Sequence, residues 1–251
     1  MYIEYPADIR LQHLIDTYWV SDGFLKDPVS QRILPDGCVD IIFNFSGDQT
    51  NGKVVPEEPR IIGTMTTVLQ IHHQPGQVQM MGIRFRPGGI TAFTRMPVDE
   101  ITDKRIPLDF ADTLFDSYFY DSLPDKDLTR RLHHIDRYLT AKLGQCFIPD
   151  NRILHAASLV KNSHGSMSMR KLAQEACLSE RQFERKFKSA VGITPKYFSK
   201  VVRFQYARHF LKSHPQAPFD TVASCCGYHD RSHLHKDFCQ LGQFTPSELL
   251  P

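Results

Sequence analysis

The sequence predicts two domains of different class: an α+β N-terminal domain with a mostly antiparallel sheet, and an all-α C-terminal domain with two helix-turn-helix units joined by a long helix. A change of texture near residue 148, an opposite charge balance on its two sides and an internal repeat in the C-terminal part carry this reading. The boundary is placed so that the domains are 1–148 and 149–251. A chain of 251 residues is long enough for each to bury its own core.

Strand signals dominate from Tyr18 to about Phe93. Tyr18-Trp19-Val20, Val39 through Phe45, Arg60-Ile61-Ile62-Gly63 and Val78 through Phe85 are rich in β-branched and aromatic residues. Turn formers separate them at Pro35-Asp36-Gly37, Gly47-Asp48, Asn51-Gly52 and Gln74-Pro75-Gly76. A mostly antiparallel sheet or partial barrel follows. From Asp99 to Leu143 the pattern reads as helical. Leu128, Leu132, Ile135 and Leu139 fall three or four apart, on one face of a helix that closes the first domain. After Cys146-Phe147-Ile148-Pro149 the chain reads as helix, interrupted by a turn at Asn162 to Ser166.

The net charge of +2 conceals two opposite halves. Residues 1–150 carry 15 Lys and Arg against 21 Asp and Glu, whereas residues 151–251 carry 15 against 7. An acidic domain joined to a basic one points to a polyanion-binding module beside a domain with other work. No apolar run reaches the roughly 18 residues of a membrane span, and Met1 to Arg10 lacks the pattern of a signal peptide. The expected compartment is the cytoplasm. Six cysteines, at 38, 146, 177, 225, 226 and 239, are too sparse for a disulfide scaffold and read as reduced thiols.

The repeat is specific. Leu172-Ala173, Cys177-Leu178-Ser179, Phe183, Phe187 and Thr194-Pro195 recur as Val222-Ala223, Gly227-Tyr228, Leu234, Phe238 and Thr245-Pro246, offset by 50 residues before the turn and 51 after it. In each copy an apolar residue and a small Ala face a partner helix, a tight turn follows, and Ser179 or Asp230 caps the next helix. Thr then caps, and Pro opens, a further helix. Between the copies, Tyr197 to Lys212 reads as a long amphipathic helix, with Phe198, Val201, Val202, Gln205 and Phe210, that sets the spacing of the two units.

Residues 150–250 resemble the AraC/XylS-type DNA-binding domain, through Leu172 to Phe187 and Gly227 to Phe238. The resemblance implies a transcription regulator, an activator in many relatives, that lays two recognition helices in successive major-groove segments of duplex DNA. Arg181, Glu184 and Arg185 on the first helix, and Arg231, Ser232, His235 and Lys236 on the second, are the implied base contacts. Lys188 and Lys196 are placed at phosphates. For Glu184 a salt bridge to Arg181 or Lys188 is the alternative. Cys177 stands where the first turn often has Gly. Gln243 stands where the second recognition helix usually ends in Gly, so a less stable second unit is expected, with Gly242 shifting the cap by one residue.

The N-terminal part resembles a little-characterised domain that precedes this reader in a subset of AraC-like regulators, through Tyr18-Trp19, Arg32 to Asn44, Gly63-Thr64 and Gly82 to Gly89. In better-known relatives that half is a cupin-like domain that binds an effector and dimerises. The resemblance therefore implies a small-molecule effector, a second copy of the chain and RNA polymerase as partners, and no cofactor. Arg84 and Arg86 are the candidate effector contacts for a carboxylate or phosphate, against the plainer reading that such an arginine pairs with Asp36 or Asp40.

Two other chemistries have sequence support. Cys225, Cys226, His229, His233, His235 and Cys239 show zinc-like spacing, but Cys226 aligns with core residue Ala176 and His235 with the exposed face, so no metal site is expected. The alternative function is a small-molecule-modifying enzyme, or a repair protein of the Ada type, with a basic DNA-binding tail. It would rest on Cys38 and Cys146, without a phosphate loop, nucleophile elbow or zinc-protease motif. His72-His73 and His133-His134 read as surface or turn residues.

Overall fold

The computed structural model describes residues 1–46, 49–50, 53–54, 57–108, 114–116, 119, 122–123, 127–144 and 147–250. The turns expected at Gly47-Asp48 and Asn51-Gly52, and Cys146, lie outside them. Strands β1 (Tyr2–Tyr5), β2 (Ile15–Leu25), β3 (Val29–Ile33), β4 (Val39–Asn44), β5 (Gln49–Thr50), β6 (Lys53–Val54), β7 (Glu57–Ile62), β8 (Leu69–His73), β9 (Gly76–Phe85) and β10 (Arg105–Pro107) come first. Helices α1 (Leu128–Lys142), α2 (Asn151–Asn162), α3 (Met169–Glu175), α4 (Glu180–Val191), α5 (Pro195–Ser213), α6 (Phe219–Cys225) and α7 (Arg231–Gly242) follow.

An antiparallel sheet in the order β1-β2-β9-β4-β7-β10 forms the scaffold, and β3 pairs with β8 as a separate ribbon. The side-chain period of two decides what each face does. Val39, Ile41 and Phe43 of β4, with Met81, Ile83 and Phe85 of β9, enter the main core, where Ile135 and Leu139 of α1 also pack. Asp40 and Ile42, with Met80 and Arg84, point the other way, toward the β3–β8 ribbon. Trp19 lies on that second face opposite Gly82, where an added Cβ would sit 2.1 Å from the indole. Only glycine lets the ring lie there.

The helical reading from Asp99 fails at Arg105–Pro107, which pairs with Ile62 to Arg60. A proline is tolerated because β10 is an edge strand, whose outer amides need no ladder partner. His72 and His73, expected in a turn or on the surface, lie in β8, with His72 exposed and His73 half-buried, and strands β1, β3 and β8 had no clear sequence signal. Each of these is a short or mixed-polarity stretch.

In the helical domain α5 is the common support. Phe198, Val201, Val202, Phe204, Ala207 and Leu211 are buried, and the cores of both repeat copies meet on them in one cluster. The helix is therefore covered on several sides rather than simply amphipathic. Asp237 of α7 is 2% exposed and pairs with Lys200 of α5 at 3.2 Å, tying the second unit to the shaft.

The two domains are joined by buried and half-buried hydrogen bonds. Helix α4 ends at Gly192, at φ 94°. Its last carbonyls accept from the N-terminal domain: Thr64 Oγ1 donates to Val191 O at 2.6 Å, and Thr102 Oγ1 to Gly192 O at 2.7 Å. The Tyr197 hydroxyl donates to Thr66 O at 2.8 Å, and Gln205 Nε2 donates to Pro35 O. Gly37, at φ 80°, lies against the Phe198 ring, which an added Cβ would meet at 2.3 Å.

The two copies end differently. Gln243 itself takes the left-handed cap of α7, at φ 56°, and Gly242 stays in the helix, so the expected shift of the cap does not occur. Here a Cβ on Gly242 would crowd Phe244 at 2.7 Å, whereas Gln243 is exposed. Cys177 also holds a positive φ, of 52°. Replacing Gln243→Gly is expected to raise stability by about 1 kcal/mol by removing left-handed strain. Gly192→Ala is expected to cost at least that much, since its Cβ would lie 3.0 Å from the Thr64 and Thr102 side chains. Urea unfolding of the two variants should show midpoint shifts of opposite sign.

Candidate nucleic-acid interface

Helix α4 starts with a full capping box: Ser179 Oγ accepts from Gln182 N at 3.3 Å, and Gln182 Oε1 accepts from Ser179 N at 3.2 Å. In α7 Asp230 caps without a reciprocal partner, accepting from His233 N at 2.7 Å, and this bond lowers its carboxyl below the usual range. These caps fix where each helix begins and so which side chains of its first turns project outward.

Phe183, Phe187 and Val191 turn inward on α4, as Leu234, Phe238 and Leu241 do on α7. The opposite faces hold the sequence-predicted residues. Arg181, Glu184, Arg185 and Lys188 are exposed on the first helix, Arg231, Ser232, His235 and Lys236 on the second, and Lys196 at the start of α5. None of these cations forms an ion pair among the described residues, and Glu184 makes no bridge to Arg181 or Lys188. Lys186 does not share this freedom, because it binds Asp150 at 3.0 Å beside Arg152. Unpaired exposed cations on a helix sized for the major groove are free to meet base edges and phosphates.

Arg231, Ser232 and His235 line a groove with Phe219, Pro246 and Ser247. The cysteines and histidines of this unit do not assemble. Cys226 is buried in the core, Cys225 and Cys239 are exposed, and Cys239 lies 3.5 Å from the His235 ring. Among the described residues no three possible ligands come together for a metal ion.

The N-terminal arginines are separated. Arg84 Nε lies 3.2 Å from Asp40 Oδ1 and 3.8 Å from Asp36 Oδ2, at one end of a cavity between sheet and ribbon. Arg86 pairs with Asp16 at 3.0 Å and donates to Gln12 O at 2.7 Å, in a shallow groove against α2. Sequence reading did not single out Trp19, Ile62 or Met65 as cavity-lining residues, nor Thr64 and Thr102 as contacts to α4. The in-phase spacing of Asp40 and Ile42, against Ile41 and Phe43, is the signal that places Asp40 off the core face.

Residues 172–250 match a family model described as a helix-turn-helix domain, and residues 3–107 match one described as a domain of unknown function (DUF6597). This chain is a DNA-binding transcription regulator that carries a helix-turn-helix domain. No curated protein matches it. Among solved structures it is similar to an AraC-type transcriptional regulator from Chromobacterium violaceum, at 24% identity and TM-score 0.37, covering 39% of this chain and 88% of that one. It is also similar to ToxT from Vibrio cholerae, at 10% identity and TM-score 0.46, covering 93% and 98%. ToxT bound to an unsaturated fatty acid gives 11% identity and TM-score 0.45, covering 92% and 94%. Among the described residues of the regulator, no helix is long and apolar enough to cross a membrane.

Arg185→Ala in the regulator is expected to weaken a specific site by about 1–3 kcal/mol while barely changing affinity for random DNA. Lys196→Ala should weaken both alike. Paired titrations on specific and random duplexes check this, and equal losses for Arg185→Ala would make that side chain a phosphate contact.

Proposed function

We propose that the regulator divides at residues 148 and 149, that its 149–251 domain reads two successive major-groove segments, and that its 1–148 domain senses a small molecule. On this reading it works at a promoter alongside RNA polymerase, by binding rather than catalysis. The observation that carries the DNA-reading half is the pair of exposed, unpaired basic faces, on α4 and α7, held by one helix. Arg181, Glu184 and Arg185 read bases on the first, Arg231, Ser232, His235 and Lys236 on the second, and Lys188 and Lys196 hold phosphates.

The division is supported by the fully buried residues of the two core clusters, which run to Leu139 in one and from Ile153 in the other, while half-buried Leu154 and Leu34 pack across the seam. Sensing is supported by the cavity of about 210 Å³ behind the sheet, which is lined mainly by apolar side chains and set beside residues that hold α4 and α5. The acidic balance of residues 1–150 keeps this half away from phosphates and leaves DNA binding to the basic half.

Selection of duplexes by the full-length chain, followed by footprinting, is the test. Two protected segments about 10 base pairs apart on one DNA face are expected. Log affinity should fall linearly with log salt, by about 0.9 per phosphate neutralised. A single protected segment, or a flat salt response, would overturn the two-reader assignment. Filling the cavity with Ile71→Trp should change the affinity for the selected site severalfold, and an unchanged affinity would remove the sensing role.

A further inference from the structure

The cavity behind the sheet has a defined chemistry. Its walls are Ile42 and Ile62 from the sheet, Ile33 and Ile71 from the ribbon, and Met65 from the segment after β7. At one end stand Trp19, with Tyr2 stacked on it at 6.0 Å, and the pair Asp40 and Arg84. We propose that this cavity binds a small organic cation, a protonated amine on an apolar body about the size of one aromatic ring, and that its occupancy is transmitted to the first helix-turn-helix unit. The inference rests on the sensing role proposed above and names the class of ligand and the route of coupling.

The open acceptor selects the ligand. Arg84 is held by Asp40 at 3.2 Å and lies 3.8 Å from Asp36, which also faces Arg208. An incoming carboxylate would meet an arginine already engaged and two like charges, whereas an amine would meet a carboxylate with room to accept. Asp40 has room to accept. Its Oδ1 takes the Trp19 indole N–H at 2.8 Å and Arg84 Nε at 3.2 Å, while Oδ2 takes only Arg84 Nε, at 3.3 Å, among the described residues. Burial pushes the Asp40 carboxyl up to about 6 despite Arg84, as expected of a buried anion short of positive charge. The Tyr2 ring stands at the same end and offers a face that attracts a cation.

The coupling route is two short stretches shared between the cavity and the helical domain. In the first, Ile62 and Met65 line the cavity, while Thr64 donates to Val191 O at the end of α4 and Thr66 O accepts from the Tyr197 hydroxyl of α5. In the second, Asp40 lines the cavity, while Pro35 O accepts from Gln205 and Gly37 lies against Phe198. A ligand that displaces Met65 or draws Asp40 inward therefore moves backbone that holds the first recognition helix.

Trp19 is the only tryptophan in the chain, so intrinsic fluorescence reports occupancy directly. Full-length protein is titrated with three probes of matched size: 2-phenylethylamine, 2-phenylethanol and 3-phenylpropionate. The amine is expected to change the Trp19 emission saturably, with an affinity at least tenfold above that of either other probe. Asp40→Asn should abolish that preference while leaving the circular dichroism spectrum unchanged. Saturating amine should shift the affinity for a selected duplex by at least threefold in the wild type and not in Asp40→Asn. Tighter binding of the carboxylate, or equal binding of alcohol and amine, overturns the ligand class but leaves sensing intact. Amine binding without an effect on DNA affinity overturns the coupling. If no probe binds, the inference falls, and the Ile71→Trp result decides separately whether the sensing role falls with it.

Discussion

The structure depends on a single central helix. α5 carries the inner walls of both helix-turn-helix cores through Phe198, Val201, Phe204, Ala207 and Leu211, and it receives the N-terminal domain through Tyr197 and Gln205. A rigid rod of 19 residues spans about 28 Å, so it fixes the separation of what hangs on its two ends. The buried Asp237 pair with Lys200 sets the seat of the second unit on this rod, at a cost in desolvation that a purely apolar contact would avoid. What that pair gives in return is direction, because a carboxylate facing two α5 cations, Lys200 and Arg203, fixes the rotation of α7 more narrowly than leucines would.

The helical domain was legible because its signals are local. Caps at Ser179, Thr194, Asp230 and Thr245, and inward residues at three- and four-residue spacing, specify each helix from a window of a dozen residues, and duplication states the pattern twice. The exposed basic faces followed by elimination once Phe183, Phe187, Leu234 and Phe238 were assigned inward. The sheet was legible only in its central strands. β4 and β9 are apolar enough to declare themselves, but β3 and β8 form a two-stranded ribbon of mixed polarity, and β10 contains a proline. Their strand character comes from partners distant in sequence, so no local window contains it.

The cavity and the seam between domains were out of reach for a related reason. Thr64 and Thr102 are ordinary threonines in the sequence, and they matter because α4 ends with two carbonyls that its own helix cannot satisfy. Arg84 illustrates the converse. Read alone, an arginine beside a buried strand suggests an anion site, but register places Asp40 directly across from it, and the pairing leaves the guanidinium already engaged.

The two ends of the repeated recognition helices also set different freedoms for change. In the first copy the terminal glycine is enclosed by threonines of another domain, so a substitution there disturbs two folding units at once. In the second copy the same position is a glutamine that is exposed among the described residues. Two modules that began from one pattern are thus unequal as evolutionary material. The second helix-turn-helix unit can drift with only its own helical domain to satisfy, while the first must change in step with the N-terminal domain that grips it.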